Sequence, residues 1–437
     1  MIGCVKSELS LFDPLVFQST MEKASYVDYH AISNLDGGGP IEFHVTGTSE
    51  DYIDVNDTML YIKVMITNLN GTNLDNGVDV ALTNMPISSL FSDVQLLLND
   101  RQIKGGNQLY PYRAMISTLV QNNEATKKNQ LICSGFIKEA ATHHNSRAGA
   151  SYTARKAWSA ESASREFCGP LHLDFLQQSK YLLGQVDMHI KLVKSQPEFA
   201  LHKLAAPGAA PGTLAALTPC KIVFEDAILY VRKVRVAPSV ILGHENGLAK
   251  QNVKYPIQRC EVVSYTIPQG SLRYEKDNLF RSQMPKLLIF GLVSNAAFSG
   301  SYALNPFNFQ HGNVNYVALY REGESVPQRP YKPNFTNGQY MREFMGLYQA
   351  LEMYNRDDEC GISFEDFAGG TALFAFNLAP DMSIGGGYAQ PMREGNLRLE
   401  INFTDSTTAL MNVIVWAVFD SKIEITRMRE VLVDYKS

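Results

Sequence analysis

A chain of 437 residues is longer than one ordinary core, which stops growing at roughly 250 to 300 residues, so two domains are expected. Hydrophobic residues make up 45% and charged residues 19%, with 22 Phe and 21 Tyr, which excludes a disordered chain. A net charge of -5 and the absence of a Lys/Arg-rich tail exclude a field that neutralises phosphates along a duplex.

The opening MIGCVKSELSLFDPLVFQS places Glu8 and Asp13 where a secretory segment is unbroken and apolar, so it reads as something other than a signal peptide. Its apolar positions Leu11, Phe12, Leu15 and Phe17 precede the first alternating segment, and residues 1–35 are expected to form an N-terminal arm. Six cysteines lie far apart with no CxxC pair, and a reducing compartment is the simplest reading.

Short alternating segments bounded by Gly, Asn, Asp and Pro follow, the pattern of strands and turns. In residues 36–236 they begin at Pro40, Met59, Phe91, Pro170, Gln185 and Lys221; in residues 255–437 they begin at Tyr255, Lys286, Val314, Thr371, Asn396 and Met411. LLGQVDMHIKLV, from Leu182, and EGNLRLEINFTD, from Glu394, align on Gly184 and Gly395 and then carry apolar side chains at every second position. Each half also places one helical pattern at the same point. The first runs roughly over 111–123, with Met115, Leu119 and Val120 on one face; the second runs roughly over 337–355, where Met341, Phe344, Met345, Tyr348 and Leu351 keep the spacing of a buried stripe. A strand-rich unit repeated once is a duplicated domain. The expected fold is all-β: two tandem eight-stranded jelly rolls, each with an inserted helix, joined by a linker over 237–254.

Three long excursions interrupt the strands. Lys104 to Phe167 ends in a polar, Ser/Ala-rich stretch and reads as a loop projecting from the sandwich. Leu204 to Pro219 is Ala/Pro/Gly-rich and reads as a surface loop. SNAAFSGSYALNPFNFQHGN, from Ser294, carries Phe298, Tyr302, Phe307 and Phe309. A surface loop with this many aromatics points to subunit contact, the alternative being that they fold back on their own sandwich.

No catalytic signature stands out. GxxxxGK[ST], GxSxG and GxGxxG are absent. HENGL at His244 has Leu248 where a zinc-binding helix needs its second imidazole. The His143–His144 pair lacks a third copper ligand, and Asp357, Asp358 and Glu359 do not match a calcium loop. The Gly runs at Gly37 and Gly385 precede strands, not helices. Neither a metal nor a cofactor is expected, and the longest apolar runs, such as that from Ala409, are short of the 18 to 20 residues that span a bilayer.

Residues 7–67, together with SLFSDVQLLLNDRQI from Ser89 and YPYRAMISTLV from Tyr110, resemble the major capsid protein of Polinton elements and adintoviruses, of the double-jelly-roll lineage of double-stranded DNA viruses. EDAILYVRKVRVAPSV from Glu225, YPIQRCEVVSYTIPQG from Tyr255 and VPQRPYKPNF from Val326 extend the likeness over most of the chain. The resemblance implies a structural protein of the virion, made in the host cytoplasm, and not an enzyme. It implies two upright jelly rolls per chain, a homotrimeric pseudo-hexameric capsomer, and an icosahedral shell around DNA with a single-jelly-roll vertex protein as partner. Loops such as 104–167 and 296–313 then build the turret and trimer contacts, and the arm bearing Phe12, Leu15 and Phe17 reaches the inner side or a neighbouring capsomer. Two other readings, a carbohydrate-binding tandem β-sandwich and a double-jelly-roll copper enzyme or amidase, rest on fold analogy alone.

Overall fold

The computed structural model describes residues 17–76, 78–104, 106–146, 149–203, 219–281, 283–357, 359–385 and 388–435. In the first half the alternating segments form β1 (Met21–His30), β2 (Ile41–Val45), β3 (Asp51–Asn68), β4 (Val80–Leu82), β5 (Phe91–Leu98), β6 (Arg101–Lys104), β7 (Arg165–Pro170), β8 (Met188–Lys194), β9 (Leu201–Lys203) and β10 (Cys220–Val236). In the second half they form β11 (Val253–Ile267), β12 (Arg273–Lys276), β13 (Leu287–Ser294), β14 (Val314–Arg321), β15 (Glu324–Tyr331), β16 (Leu373–Asn377), β17 (Leu397–Phe403), β18 (Met411–Ile425) and β19 (Val431–Val433).

Hydrogen bonding sorts these strands into two matching pairs of sheets. The first lobe has β1-β10-β3-β7 and β2-β8-β5-β6; the second has β11-β18-β13-β16 and β12-β17-β14-β15, with β19 added beside β18. Strand for strand the two orders are identical, and among the described residues the first lobe adds only β4 and β9, which pair with each other. The chain is a double jelly roll. The two similar sentences of the sequence are β8 and β17, each second in its sheet. Alternation sends Met188, Ile190 and Leu192 inward in one and Leu397, Leu399, Ile401 and Phe403 inward in the other, all at 3% exposure or less. Their leading glycines are not equivalent in need. A Cβ on Gly184 would lie 2.6 Å from the Thr48 carbonyl oxygen, whereas one on Gly395 would meet the movable side-chain ends of Met284, at 2.6 Å, and Glu322, at 3.0 Å.

The helices are α1 (Pro86–Ser89), α2 (Tyr110–Gln121), α3 (Glu124–Lys128), α4 (Ala150–Trp158), α5 (Pro197–Ala200), α6 (Pro238–Leu248), α7 (Asn295–Ser299), α8 (Met341–Ala350) and α9 (Phe364–Gly369). The two helices expected from periodicity are α2 and α8, both lying between the fifth and sixth jelly-roll strands of their lobes. Their environments differ. Every residue of α2 from Tyr110 to Val120 is buried, because the second lobe covers the side that the first leaves free. Helix α8 keeps a bare side: Met341, read from the sequence as part of the buried stripe, is 63% exposed.

Other expectations are corrected by the fold. Residues 1–35 do not form an arm throughout, since β1 lies among them and is hydrogen-bonded along β10. The linker 237–254 contains α6, and β11 begins within it at Val253. Residues 104–167 are not a solvated projection: they fold into α2, α3 and α4, and Tyr152 and Arg155 are 4% and 1% exposed. Small, polar residues in that stretch pack tightly and satisfy one another. Arg155, for example, donates to the Leu82 carbonyl at 2.6 Å and pairs with Glu139 at 2.5 Å. Residues 204–218 of the Ala/Pro/Gly stretch lie outside the described residues.

Candidate functional site

The chemistry of the chain concentrates where its two lobes meet. β11 is the outermost strand of its sheet, and an unpaired edge leaves alternate N–H and C=O groups without partners. Here the first lobe supplies them. The Cys260 N–H donates to Asp174 Oδ1 at 2.8 Å, Asn107 Nδ2 donates to the Val262 carbonyl at 3.0 Å, and Lys180 Nζ donates to the Lys254 carbonyl at 3.0 Å. The even spacing of these β11 residues is the edge alternation of an antiparallel strand. Asp174 also accepts from Arg113 Nη2 at 2.6 Å, and both side chains are about 5% exposed. One carboxylate thereby ties α2 to the foreign edge strand, and Tyr255 completes the clasp by packing edge-on against Phe175, with ring centroids 5.5 Å apart.

On the other side of α2, Tyr112 sits among aromatics from both lobes. Its ring is 5.7 Å from Phe298 and from Phe307, 6.4 Å from Phe309 and 6.0 Å from Phe199. The aromatic loop thus folds back within the chain. Phe307 and Phe309 are 5% and 0% exposed, so neither side chain is free for a sister molecule, and the expectation that they form subunit contacts is corrected. The hydrophobic demand of the loop was read accurately; its partner is the first lobe. Phe298 and Tyr302 are half-buried in the same packing. Phe17 is 79% exposed, while Phe12 and Leu15 lie outside the described residues.

A third contact brings residues 138–145 over the second lobe. Lys138 pairs with Asp366 at 2.8 Å, and the Asn305 N–H donates to Asn145 Oδ1 at 2.7 Å. Close approach here depends on glycine: a Cβ on Gly369 would lie 2.4 Å from the Ala141 carbonyl oxygen, and one on Gly370 only 2.2 Å from the His144 ring. Lys127, buried, donates to the Leu119 and Cys360 carbonyls at 2.6 Å each, and burial lowers its pKa to about 8. His144 and Lys127 line a small, partly open space of about 40 Å³ together with Asn305 and Asp366. Neither ring nitrogen of His144 has a protein partner, and burial holds its pKa down to about 4. Burial likewise lowers His172 to about 4 and His202 to about 3.

Among the described residues no three His, Cys, Asp or Glu side chains gather to hold a metal ion, and no helix is long and apolar enough to cross a membrane. His143, beside buried His144, is in contact with Thr142 at the surface. His244 shares a hydrogen bond of 2.9 Å with the Tyr52 hydroxyl. Asp358 of the acidic triplet lies outside the described residues. Arg113, Asp174 and the Gly369–Gly370 pair were not singled out in the sequence. The available signals were a charged residue inside the otherwise uncharged α2 and a Gly-Gly step two residues ahead of β16.

No family model matches the chain. A curated, uncharacterized protein of Caenorhabditis elegans is 23% identical over 407 residues, spanning 91% of this chain and 93% of its own length. Among solved structures, a chain of the Sputnik virophage cryo-EM structure superposes with a TM-score of 0.63 at 11% identity, covering 100% of this chain and 94% of its own. The Vp54 protein of the virus PBCV-1 gives 0.60 at 12%, covering 98% and 100%, and the mavirus major capsid protein gives 0.52 at 11%, covering 99% and 96%. What the chain has in common with these proteins, over nearly its whole length, is the double-jelly-roll fold.

Proposed function

We propose that the chain is a major capsid protein, a structural subunit and not an enzyme. Three copies close around a threefold axis and present six similar lobes, forming a pseudo-hexameric capsomer. Such capsomers tile an icosahedral shell around double-stranded DNA in the virion, with a separate single-jelly-roll protein at the vertices. The observation that carries this reading is the strand-for-strand duplication, in a chain that superposes over nearly its whole length on viral proteins, among them one named as the mavirus major capsid protein. A Polinton or adintovirus element is the favoured origin, on the sequence resemblance; a full-length relative in a nematode fits an element carried in an animal genome. The net charge of -5 means that the shell encloses DNA without binding it tightly, so filling it falls to other components.

The purified protein is expected to run as a trimer of about 146 kDa, three times the 48.7 kDa chain, or as larger particles visible by electron microscopy. A strict monomer at micromolar concentration would refute the proposal. Tight DNA binding by the trimer at physiological salt would contradict its electrostatic part.

A further inference from the structure

Two thiols meet at one edge of the first lobe. β7 is the last strand of β1-β10-β3-β7, and an edge strand turns alternate N–H groups away from its neighbour. The Cys168 N–H is one of these, and it donates to the Cys133 carbonyl at 2.9 Å. Cys133 follows the short helical turn 130–132, so this bond lays the end of that turn along β7. Phe167 and Gly169 of β7 are buried, while Glu166 and Cys168 face outward by the alternation of the strand. Ser134 lies on the inner side, where a Cβ on Gly169 would fall 2.3 Å from its hydroxyl. Cys133, one residue earlier, is exposed, on the outer side with Cys168.

A backbone hydrogen bond between neighbouring strands holds two α-carbons roughly 5.5 Å apart, within the window of about 4.4 to 6.8 Å that a disulfide spans. Both thiols are free. Burial and the nearby Cys133 thiol raise the Cys168 thiol above its ordinary pKa, which leaves the exposed Cys133 as the first of the two to react. Among the described residues the other cysteines, Cys220, Cys260 and Cys360, are buried.

We infer that Cys133 and Cys168 form a dithiol–disulfide site, closed by a small-molecule disulfide such as oxidised glutathione. Cys133 gives its proton to solvent and its thiolate attacks one sulfur of oxidised glutathione, expelling the first glutathione thiolate, which takes up a proton. Cys168, deprotonated in turn, attacks Cys133 Sγ in the mixed disulfide and expels the second glutathione. Two protein thiols lose two electrons and two protons, and one small disulfide gains them. The bridge fastens the middle of a strap that joins the lobes: on one side of Cys133, Lys127 donates to the Cys360 carbonyl, and on the other Lys138 pairs with Asp366. On the shell reading above, the lock closes once the particle leaves the reducing interior of the cell; the site itself belongs to the single chain and does not depend on that reading.

The test treats full-length protein, purified in dithiothreitol and then freed of it, with oxidised glutathione, and maps disulfides by mass spectrometry after trypsin cleavage without reduction. The expected product joins the tryptic peptide 129–138 to the peptide 166–180. The melting temperature should rise by about 5 °C over the reduced protein, because the bridge closes a loop in the unfolded chain, and dithiothreitol should reverse the rise. Cys133→Ser, at an exposed position, should melt with reduced wild type and show neither the joined peptide nor the rise, which separates loss of the bridge from loss of the fold. Cys168→Ser should keep glutathione on Cys133, identifying the thiol that attacks first. Absence of the joined peptide from wild type, or glutathione persisting on Cys133 of wild type in its place, overturns the site. A joined peptide with an unchanged melting temperature overturns the lock. The oligomeric state bears on the shell reading alone, so the two fail separately.

Discussion

Replacing Asp174 by Ala should uncouple the two lobes. The carboxylate accepts from Arg113 at 2.6 Å and from the Cys260 N–H at 2.8 Å, and its removal leaves a guanidinium buried at 4% exposure without its counter-ion. Breaking one side of a buried pair costs about 3 to 5 kcal/mol, and stranding an N–H adds about 1 to 3 kcal/mol where it stays dry. Because both penalties are relieved by the same local opening, about 4 kcal/mol is expected, not their sum. Urea unfolding measures it, and the two tryptophans divide the signal: Trp158 lies in the first lobe and Trp416 in the second. In wild type the two report one transition; in Asp174→Ala the second lobe, whose edge strand loses its clasp, unfolds at lower urea. Combining Arg113→Met with Asp174→Asn removes the charges while keeping an acceptor for Cys260, and should return to within about 1.5 kcal/mol of wild type. A loss under 1 kcal/mol in Asp174→Ala, or no recovery in the double variant, would refute the role given to this pair.

Three further outcomes follow from the seam. Tyr112→Phe should raise stability by about 1 kcal/mol, since the buried hydroxyl has no hydrogen-bond partner and its removal ends a desolvation cost; thermal melting checks it. Gly370→Ala should lower stability by about 2 to 3 kcal/mol, because the new Cβ would fall 2.2 Å from the His144 ring at a φ of +152°, and the same denaturation series reads it. Stability should fall on acidification. The folded pKa values of His144, His172 and His202, about 4, 4 and 3, lie below the unfolded value near 6.5, so below pH ~6.5 the unfolded chain binds protons that the folded chain refuses. The contribution is complete above that pH and declines toward pH 4 by up to roughly 1.4 kcal/mol per unit for each histidine; a midpoint unchanged between pH 7 and 5 would contradict it.

The duplication was legible because burial on one face writes period two into a strand, and β8 and β17 each carry that period after a glycine. β1 escaped for the converse reason: MEKASYVDYH is exposed on nearly all sides, so no alternation marks it. The run VIVWAVF in β18 was visible as apolar on both faces, as a sheet covered twice requires, but a sequence does not say what does the covering. The same limit explains Phe307 and Phe309. Their number in one loop revealed a hidden apolar contact, and only the approach of α2, two hundred residues earlier, reveals that the contact is internal. Met341 failed in the opposite direction: its spacing is that of a core residue, but its helix packs over β16 with that end uncovered.

β10 and β18 differ in what covers them. They occupy the same place in equivalent sheets, so a shared origin would give them similar patterns. β18 instead has eight buried positions of its first ten, with no charge before Asp420, while β10 keeps Glu225, Asp226, Arg232, Lys233 and Arg235 along its length. A surface closed during folding never faces water in a finished chain and can shed every charge. A surface that stays in contact with water needs polar groups to remain soluble. On this reasoning the seam between lobes is part of the folding core, whereas the outer face of the first lobe's sheet keeps the charges of a surface that meets water.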